Sequence, residues 1–200
     1  MTPPDGQPGE HVLLLVRHAA PLIVDGIAAR DWMLSDEGRQ SCAPLADYLA
    51  QWSPASIISS DEPKATETCA LIARRLKLRG ECAPGLHEHE RTGVSLLAQA
   101  SFERMVRRFF AEPEELVFGS ETAAESLCRF SSAVARVELT HPAGNVAIVT
   151  HGTVLSLFVA QSTGADGFVT WQKLGMPGVI ALSMQPRRIL AWQNDFTSGL

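Results

Sequence analysis

Two unbroken apolar runs, each followed by a histidine, constrain this chain more than any other feature. Val12-Leu13-Leu14-Leu15-Val16 leads into Arg17-His18, and Val146-Ala147-Ile148-Val149 leads into Thr150-His151-Gly152. An alternating pattern would mark a strand with one wet face. A continuous run of Val, Leu and Ile marks a strand covered on both faces, as in a parallel sheet between helical layers.

The segments between and after these runs read the same way. Ser35 can cap a helix whose first turn is acidic and whose stripe is Cys42, Leu45, Ala46 and Leu49. Residues 55–60, ASIISS, form a short strand, and Pro63 opens a helix at a position where its missing N–H costs nothing. Leu78 to Cys82 is a weak extended passage. Ser95 to Phe110 is helical, with Leu97, Phe102, Met105, Val106 and Phe109 facing inward, and Glu121 to Leu139 is helical with Ser120 as its cap. A helix over 153–160 leaves the second apolar run. Val179 to Ser183 and Ile189 to Trp192, joined by a Pro-containing turn, pair as neighbouring strands. Strand and helix alternate, so the expected fold is α/β: a three-layer α/β/α sandwich with a mostly parallel central sheet and one antiparallel edge strand. Residues 1–10 are expected to be a disordered tail, and 11–200 a single domain.

The 200 residues are 46% hydrophobic, enough for one core, and the formal charge is −5. That balance excludes a broadly basic surface for nucleic acid or anionic membrane, yet leaves room for a locally cationic pocket. Cys42, Cys69, Cys82 and Cys128 show no CxxC spacing, as expected of reduced thiols in the cytoplasm. The N-terminal residues lack the basic and apolar regions of a signal peptide, and no apolar run approaches the length of a membrane span.

In an open α/β sheet, ligands bind beyond the carboxyl ends of strands where the chain order reverses. Three such places carry polar groups: Arg17-His18, Ser59-Ser60 through Lys64, and Thr150-His151-Gly152. Brought together, they make a pocket of two imidazoles, a guanidinium and an ammonium, suited to a phosphoryl group. Gly152 allows the backbone to approach a ligand closely.

In order and spacing, LLLVRHAA (13–20), LSDEGRQ (34–40), SSDEPKATET (59–68), GLHEHE (85–90) and IVTHGTV (148–154) resemble the histidine phosphatase superfamily. That superfamily also contains the cofactor-dependent phosphoglycerate mutases. The resemblance implies that His18 attacks phosphorus and becomes phosphohistidine, that Arg17 and His151 hold the phosphoryl oxygens, and that Glu88 protonates the leaving oxygen. Lys64 falls where the family usually has a second arginine. The implied activity is a metal-independent, cofactor-free phosphomonoesterase acting on a small phosphorylated metabolite. A mutase-like phosphotransferase and a non-catalytic phosphate-binding or phosphoprotein-binding module are the alternatives. The oligomeric state stays open, homodimer included.

The chemistry of the residues agrees with these roles. An imidazole of pKa about 6.5 offers a lone pair at neutral pH, provided its other nitrogen finds an acceptor such as a backbone carbonyl near Ala19 or Gly38. A phosphoester alkoxide is a poor leaving group and needs an acid, and a dianionic ester beside Glu88 would raise the pKa of that carboxyl. Glu90 is the rival acid. His87 and His89 are expected to point away from Glu88, so a four-histidine metal site with His18 and His151 is disfavoured. Ser59 either bonds a phosphoryl oxygen or finishes its strand. Thr153 is expected to cap its helix or bond to the site, while Asp61 and Glu62 should point off an anion pocket or narrow what it accepts. Arg104, Arg107 and Arg108 read as a solvated face, and Trp171, Trp192 and Phe196 as packing residues.

Three departures from the family pattern stand out. Ala19-Ala20 replaces the usual Gly-Glu, and PLIVDG lacks the asparagine with which mutases contact phosphate. Lys64 keeps the positive charge of the arginine it replaces but loses the two-pronged geometry. The missing asparagine, with the short insertion between strands, argues for hydrolysis over isomerisation.

Overall fold

The computed structural model describes residues 11–94 and 97–196. The tail expected over 1–10 lies outside them. Six strands, β1 (Val12–Arg17), β2 (Pro54–Ser59), β3 (Gly80–Cys82), β4 (Asn145–Thr150), β5 (Gly178–Ser183) and β6 (Ile189–Gln193), form one sheet in the order β3-β2-β4-β1-β5-β6. The first four are mutually parallel, and the β5–β6 pair closes one edge in antiparallel fashion. The α/β architecture is as the apolar runs dictated.

Continuity of those runs has the predicted cause. Along β1, Val12, Leu14 and Val16 face one core while Leu13 and Leu15 face a second, and all five are buried. Helices α1 (Asp36–Ala50) and α2 (Pro63–Leu76) cover the first face through Leu45, Ala46, Leu49, Cys69, Ile72 and Ala73. Helices α4 (Ala123–Thr140) and α5 (Gly152–Thr163) cover the second through Phe130, Val134, Val137, Leu155 and Phe158. Each such leucine or phenylalanine stabilises the fold by about 1.5–3 kcal/mol relative to exposure. A satellite cluster joins α3 (Gln99–Ala111) and α6 (Gly167–Lys173) through Val106, Phe109, Phe118 and Phe168. Among the described residues no helix is long and apolar enough to cross a membrane.

Some local expectations are corrected. Helix α4 is capped by Thr122, whose hydroxyl accepts the Glu125 N–H while the Glu125 carboxylate accepts the Thr122 N–H. Ser120 instead donates its backbone N–H to the Glu90 carbonyl. That reciprocal pair satisfies two orphan donors where a lone serine would satisfy one. Helix α3 begins at Gln99, and Leu97 is exposed; Ser95 lies outside the described residues. Helix α6, absent from the sequence expectations, has seven residues and follows α5 after only a short Gly-Ala-Asp turn.

Packing residues behave as read. Trp171 sits 5.8 Å from Phe168, Phe196 is buried 5.7 Å from Tyr48, and Trp192 packs on the second core. Arg107 lies over the Phe168 ring, and Arg108 pairs with Glu112 at the surface.

Candidate active site

Sheet register builds the site before any side chain is considered. Arg17 is level with Thr150 across the β1–β4 pair, and Ser59 is level with Val149 across β2–β4. The ladder continues one step past the strands: the His18 N–H donates to the Thr150 carbonyl and the Ser60 N–H to the Val149 carbonyl, both at 2.9 Å. Thus His18, His151 and Ser60 stand in a row at the carboxyl edge of three adjacent parallel strands, where the chain order reverses.

His18 is 5% exposed and His151 fully buried, their ring centroids 5.1 Å apart. His18 Nδ1 lies 2.7 Å from the Ala19 carbonyl oxygen. A carbonyl only accepts, so the proton sits on Nδ1 and Nε2 keeps its lone pair. Burial, with Lys64 and Arg17 adding positive charge, depresses the His18 pKa to about 3 against the pull of the Ala19 carbonyl. Burial also holds His151 well below the ordinary value, with His18, Lys64 and Arg91 acting in the same direction. Both rings are therefore neutral at pH 7. The loop after His18 is set by Gly38: a Cβ there would meet the Ala20 carbonyl oxygen at 2.1 Å, so only glycine lets α1 begin against this turn. Ser35 caps α1 as read, accepting the Gly38 N–H at 3.0 Å.

Arg17 donates from Nη1 to the Leu174 carbonyl at 2.6 Å, while its Nε is buried without a partner. Burial lowers the Arg17 pKa to about 10, and it stays charged. Gly152 makes room for it, since a Cβ there would lie 3.0 Å from Arg17 Nε.

Glu88 reaches the first turn of α5. Its carboxylate accepts the N–H groups of Thr153 at 3.1 Å, Val154 at 3.2 Å and its own neighbour His89 at 2.9 Å, with Arg91 at 3.5 Å. Burial pushes this carboxyl up, but the Arg91 charge and the backbone N–H groups of His89 and Thr153 outweigh it and bring the pKa to about 2. The protein's own environment thus works opposite to the upward shift expected from a bound dianion. Glu90, the rival, is exposed and accepts from Ser120.

Several residues differ from the sequence reading. Ser59 Oγ lies 3.4 Å from Cys82 Sγ, on the β3 side; Ser60 is the serine that reaches the imidazoles, 2.9 Å from His151 Nε2. Successive strand residues point to opposite faces, which separates the two. Asp61 is exposed as expected, but Glu62 is 5% exposed and turns inward. Its carboxylate pairs with Lys64, accepts the Glu88 N–H at 2.9 Å and lies 3.6 Å from His151 Nε2. Lys64 also donates to the Ala29 carbonyl at 2.8 Å. Arg91, not singled out from the sequence, donates to Thr153 Oγ1 at 2.8 Å and stacks over Phe102. Thr153 thereby bonds to the site through both its N–H and its hydroxyl. His89 is directed into the Phe109 and Phe118 rings, its Nε2 on the Glu121 carbonyl. His87 is close enough for its charge to lower His151.

Among the described residues, the buried side-chain nitrogens without a hydrogen-bond partner are Arg17 Nε, His87 Nε2, His89 Nδ1, Arg91 Nε and His151 Nδ1, with His87 Nε2 3.5 Å from a Glu90 oxygen. Such groups are costly unless something bonds to them, and Arg17, Arg91 and His151 belong to the surroundings of His18 and Glu88. The arrangement is a nucleophilic nitrogen ringed by donors and cations, with a carboxylate alongside.

Comparison with known proteins followed the same line. The family model described as histidine phosphatase superfamily (branch 1) matches residues 13–188. No curated protein matches the sequence. Among solved structures, a mycobacterial glucosyl-3-phosphoglycerate phosphatase superposes with a TM-score of 0.74 at 20% identity, covering 93% of this chain and 100% of that one. A phosphoserine phosphatase mutant from Entamoeba histolytica gives 0.74 at 15% identity, over 95% and 100% of the two chains. A phosphoglycerate mutase from Bacillus anthracis gives 0.71 at 17%, over 93% and 92%.

Proposed function

Since this chain belongs to the histidine phosphatase superfamily, we propose that it is a phosphomonoesterase that hydrolyses a small phosphorylated metabolite through a phosphohistidine on His18. The observation that carries the reading is the pairing of His18, its proton fixed on Nδ1, with His151 at 5.1 Å between centroids. His18 Nε2 attacks phosphorus while the bond to the ester oxygen breaks. Arg17, His151 and Lys64 stabilise the spreading negative charge on the phosphoryl oxygens. Arg91 adds a further guanidinium beside Glu88.

Glu88 is the proton carrier. Ionised on its own, it accepts the proton that a phosphomonoester monoanion brings in and delivers it to the departing oxygen. The same carboxylate then takes a proton from the water that attacks phosphohistidine, releasing inorganic phosphate. No step needs a metal or cofactor. The setting on this reading is cytoplasmic, in keeping with four free cysteines.

Isomerase chemistry is the weaker reading. Leu22, Ile23 and Val24, where a mutase would place its asparagine contact, are exposed apolar residues. The test is a panel of phosphomonoesters assayed for released phosphate with and without a chelator. Chelator-insensitive turnover supports the reading, and no release from any ester overturns it.

A further inference from the structure

Glu62 is an unexpected group at the edge of an anion site. It is 5% exposed, and both of its oxygens are engaged: one with Lys64, the other with the Glu88 N–H at 2.9 Å while standing 3.6 Å from His151 Nε2. The proposed chemistry uses Lys64 as a phosphoryl ligand, and Lys64 has already spent its charge on this carboxylate. A buried ion pair of this kind is strong locally because little water screens it. An incoming phosphoryl group has to take Lys64 from Glu62.

We infer that Glu62 is a positioning residue that acts through Lys64: an internal counter-ion that competes with phosphate for the ammonium, weakening the hold on the product. This rests on the phosphatase reading. During attack, the transferring group draws Lys64 toward its oxygens. When inorganic phosphate is ready to leave, the carboxylate reclaims the ammonium and helps expel it. A lysine suits this exchange, since a single flexible point charge switches partners where an arginine fork would hold both. Asp61, adjacent in sequence but exposed, has no such part.

The test measures the affinity for inorganic phosphate by calorimetry in four proteins: the unaltered chain, Glu62→Gln, Lys64→Met and the double variant. Glu62→Gln should bind phosphate about tenfold more tightly, a gain of ~1.4 kcal/mol. Lys64→Met should bind it more weakly, and the double variant should match Lys64→Met, because without the ammonium there is nothing to compete for. Damage to the fold would weaken binding, so tightening is not what a merely structural role predicts. No tightening in Glu62→Gln overturns the inference, as does an equal gain in the Lys64→Met background. Should Glu62→Gln fail to fold, a crystal structure of the unaltered chain with phosphate decides: Lys64 must have left Glu62 for a phosphate oxygen, and an intact pair overturns the inference. Failure of the unaltered chain to bind phosphate at all would overturn the phosphatase reading and this inference with it.

Discussion

The rings of His18 and His151 meet edge to face, their planes inclined by 61°. On the proposed mechanism, one phosphoryl group contacts both. Rapid quenching of the unaltered chain should trap an acid-labile phosphoenzyme, and His18→Ala should abolish both it and phosphate release. His151→Ala removes one charge-stabilising donor and should lower kcat by about 10²–10³-fold, with the phosphoenzyme still detectable. Turnover surviving in His18→Ala would mean another residue is the nucleophile.

Ser60 and Ser59 should behave as opposites. Ser60→Ala takes away the hydroxyl 2.9 Å from His151 Nε2 and should lower kcat several-fold, in line with about 0.5–1.5 kcal/mol for one hydrogen bond. Ser59→Ala loses contacts to the Cys82 and Cys69 thiols and none to an imidazole, so kcat and KM should stay put. Equal kinetic effects in the two variants would contradict the placement.

Gly38→Ala tests the loop that carries His18, the proposed nucleophile. The new methyl would meet the Ala20 carbonyl oxygen at 2.1 Å, with rigid backbone on both sides. A loss of about 1–3 kcal/mol in denaturant unfolding, together with reduced turnover, is the expected result. A variant as stable and as active as the unaltered chain would show that α1 can shift freely.

Acid should unfold this protein early, and His18 should be a cause. Its pKa is near 6.5 in the unfolded chain and about 3 in the folded one, chiefly through burial. As pH falls below about 6.5, the unfolded state takes up a proton that the native state refuses, and stability drains away down to about pH 3. At pH 5 the loss attributable to His18 is about 2 kcal/mol. His18→Gln should flatten the stability profile between pH 7 and 5 by that amount, measured by urea titration. Glu88, held at about 2, adds its own loss only below about pH 4.5.

On the proposed mechanism, the same carboxyl should set the pH dependence of catalysis. If Glu88 is ionised in the free enzyme, the proton must arrive with the ester, whose second ionisation falls near pH 6. For a simple alkyl phosphate, kcat/KM should fall about tenfold per pH unit above that point. A plateau persisting to pH 8 would show that Glu88 keeps its own proton.

The parts of this molecule governed by repeating patterns were legible in the sequence. Unbroken runs at 12–16 and 146–149 announced doubly covered strands, and the stripe Cys42, Leu45, Ala46, Leu49 gave the buried face of α1. The two histidines, Arg17, Lys64 and Glu88 stand out in the sequence because each follows a strand or sits in a family motif, and the fold brings these residues to one region. What escaped was side-chain direction. His18, His151 and Ser60 each stand two residues beyond the last apolar residue of their run, at Val16, Val149 and Ile58, and counting that offset would have chosen Ser60 over Ser59. Glu62 and Arg91 had no comparable signal. A carboxylate beside an anion pocket is expected to turn away, and only the tertiary pairing with Lys64 and the Glu88 N–H reverses that.

The contact that fixes the proton of His18 on Nδ1, and so presents Nε2 as the proposed nucleophile, comes from the peptide group of Ala19. All twenty amino acids carry that oxygen, so no inherited exchange at any neighbouring codon can delete the acceptor; a mutation must twist the main chain to reach it. Evolution can therefore rework every partner around this imidazole, and through them the choice of substrate, while the tautomer stays insured.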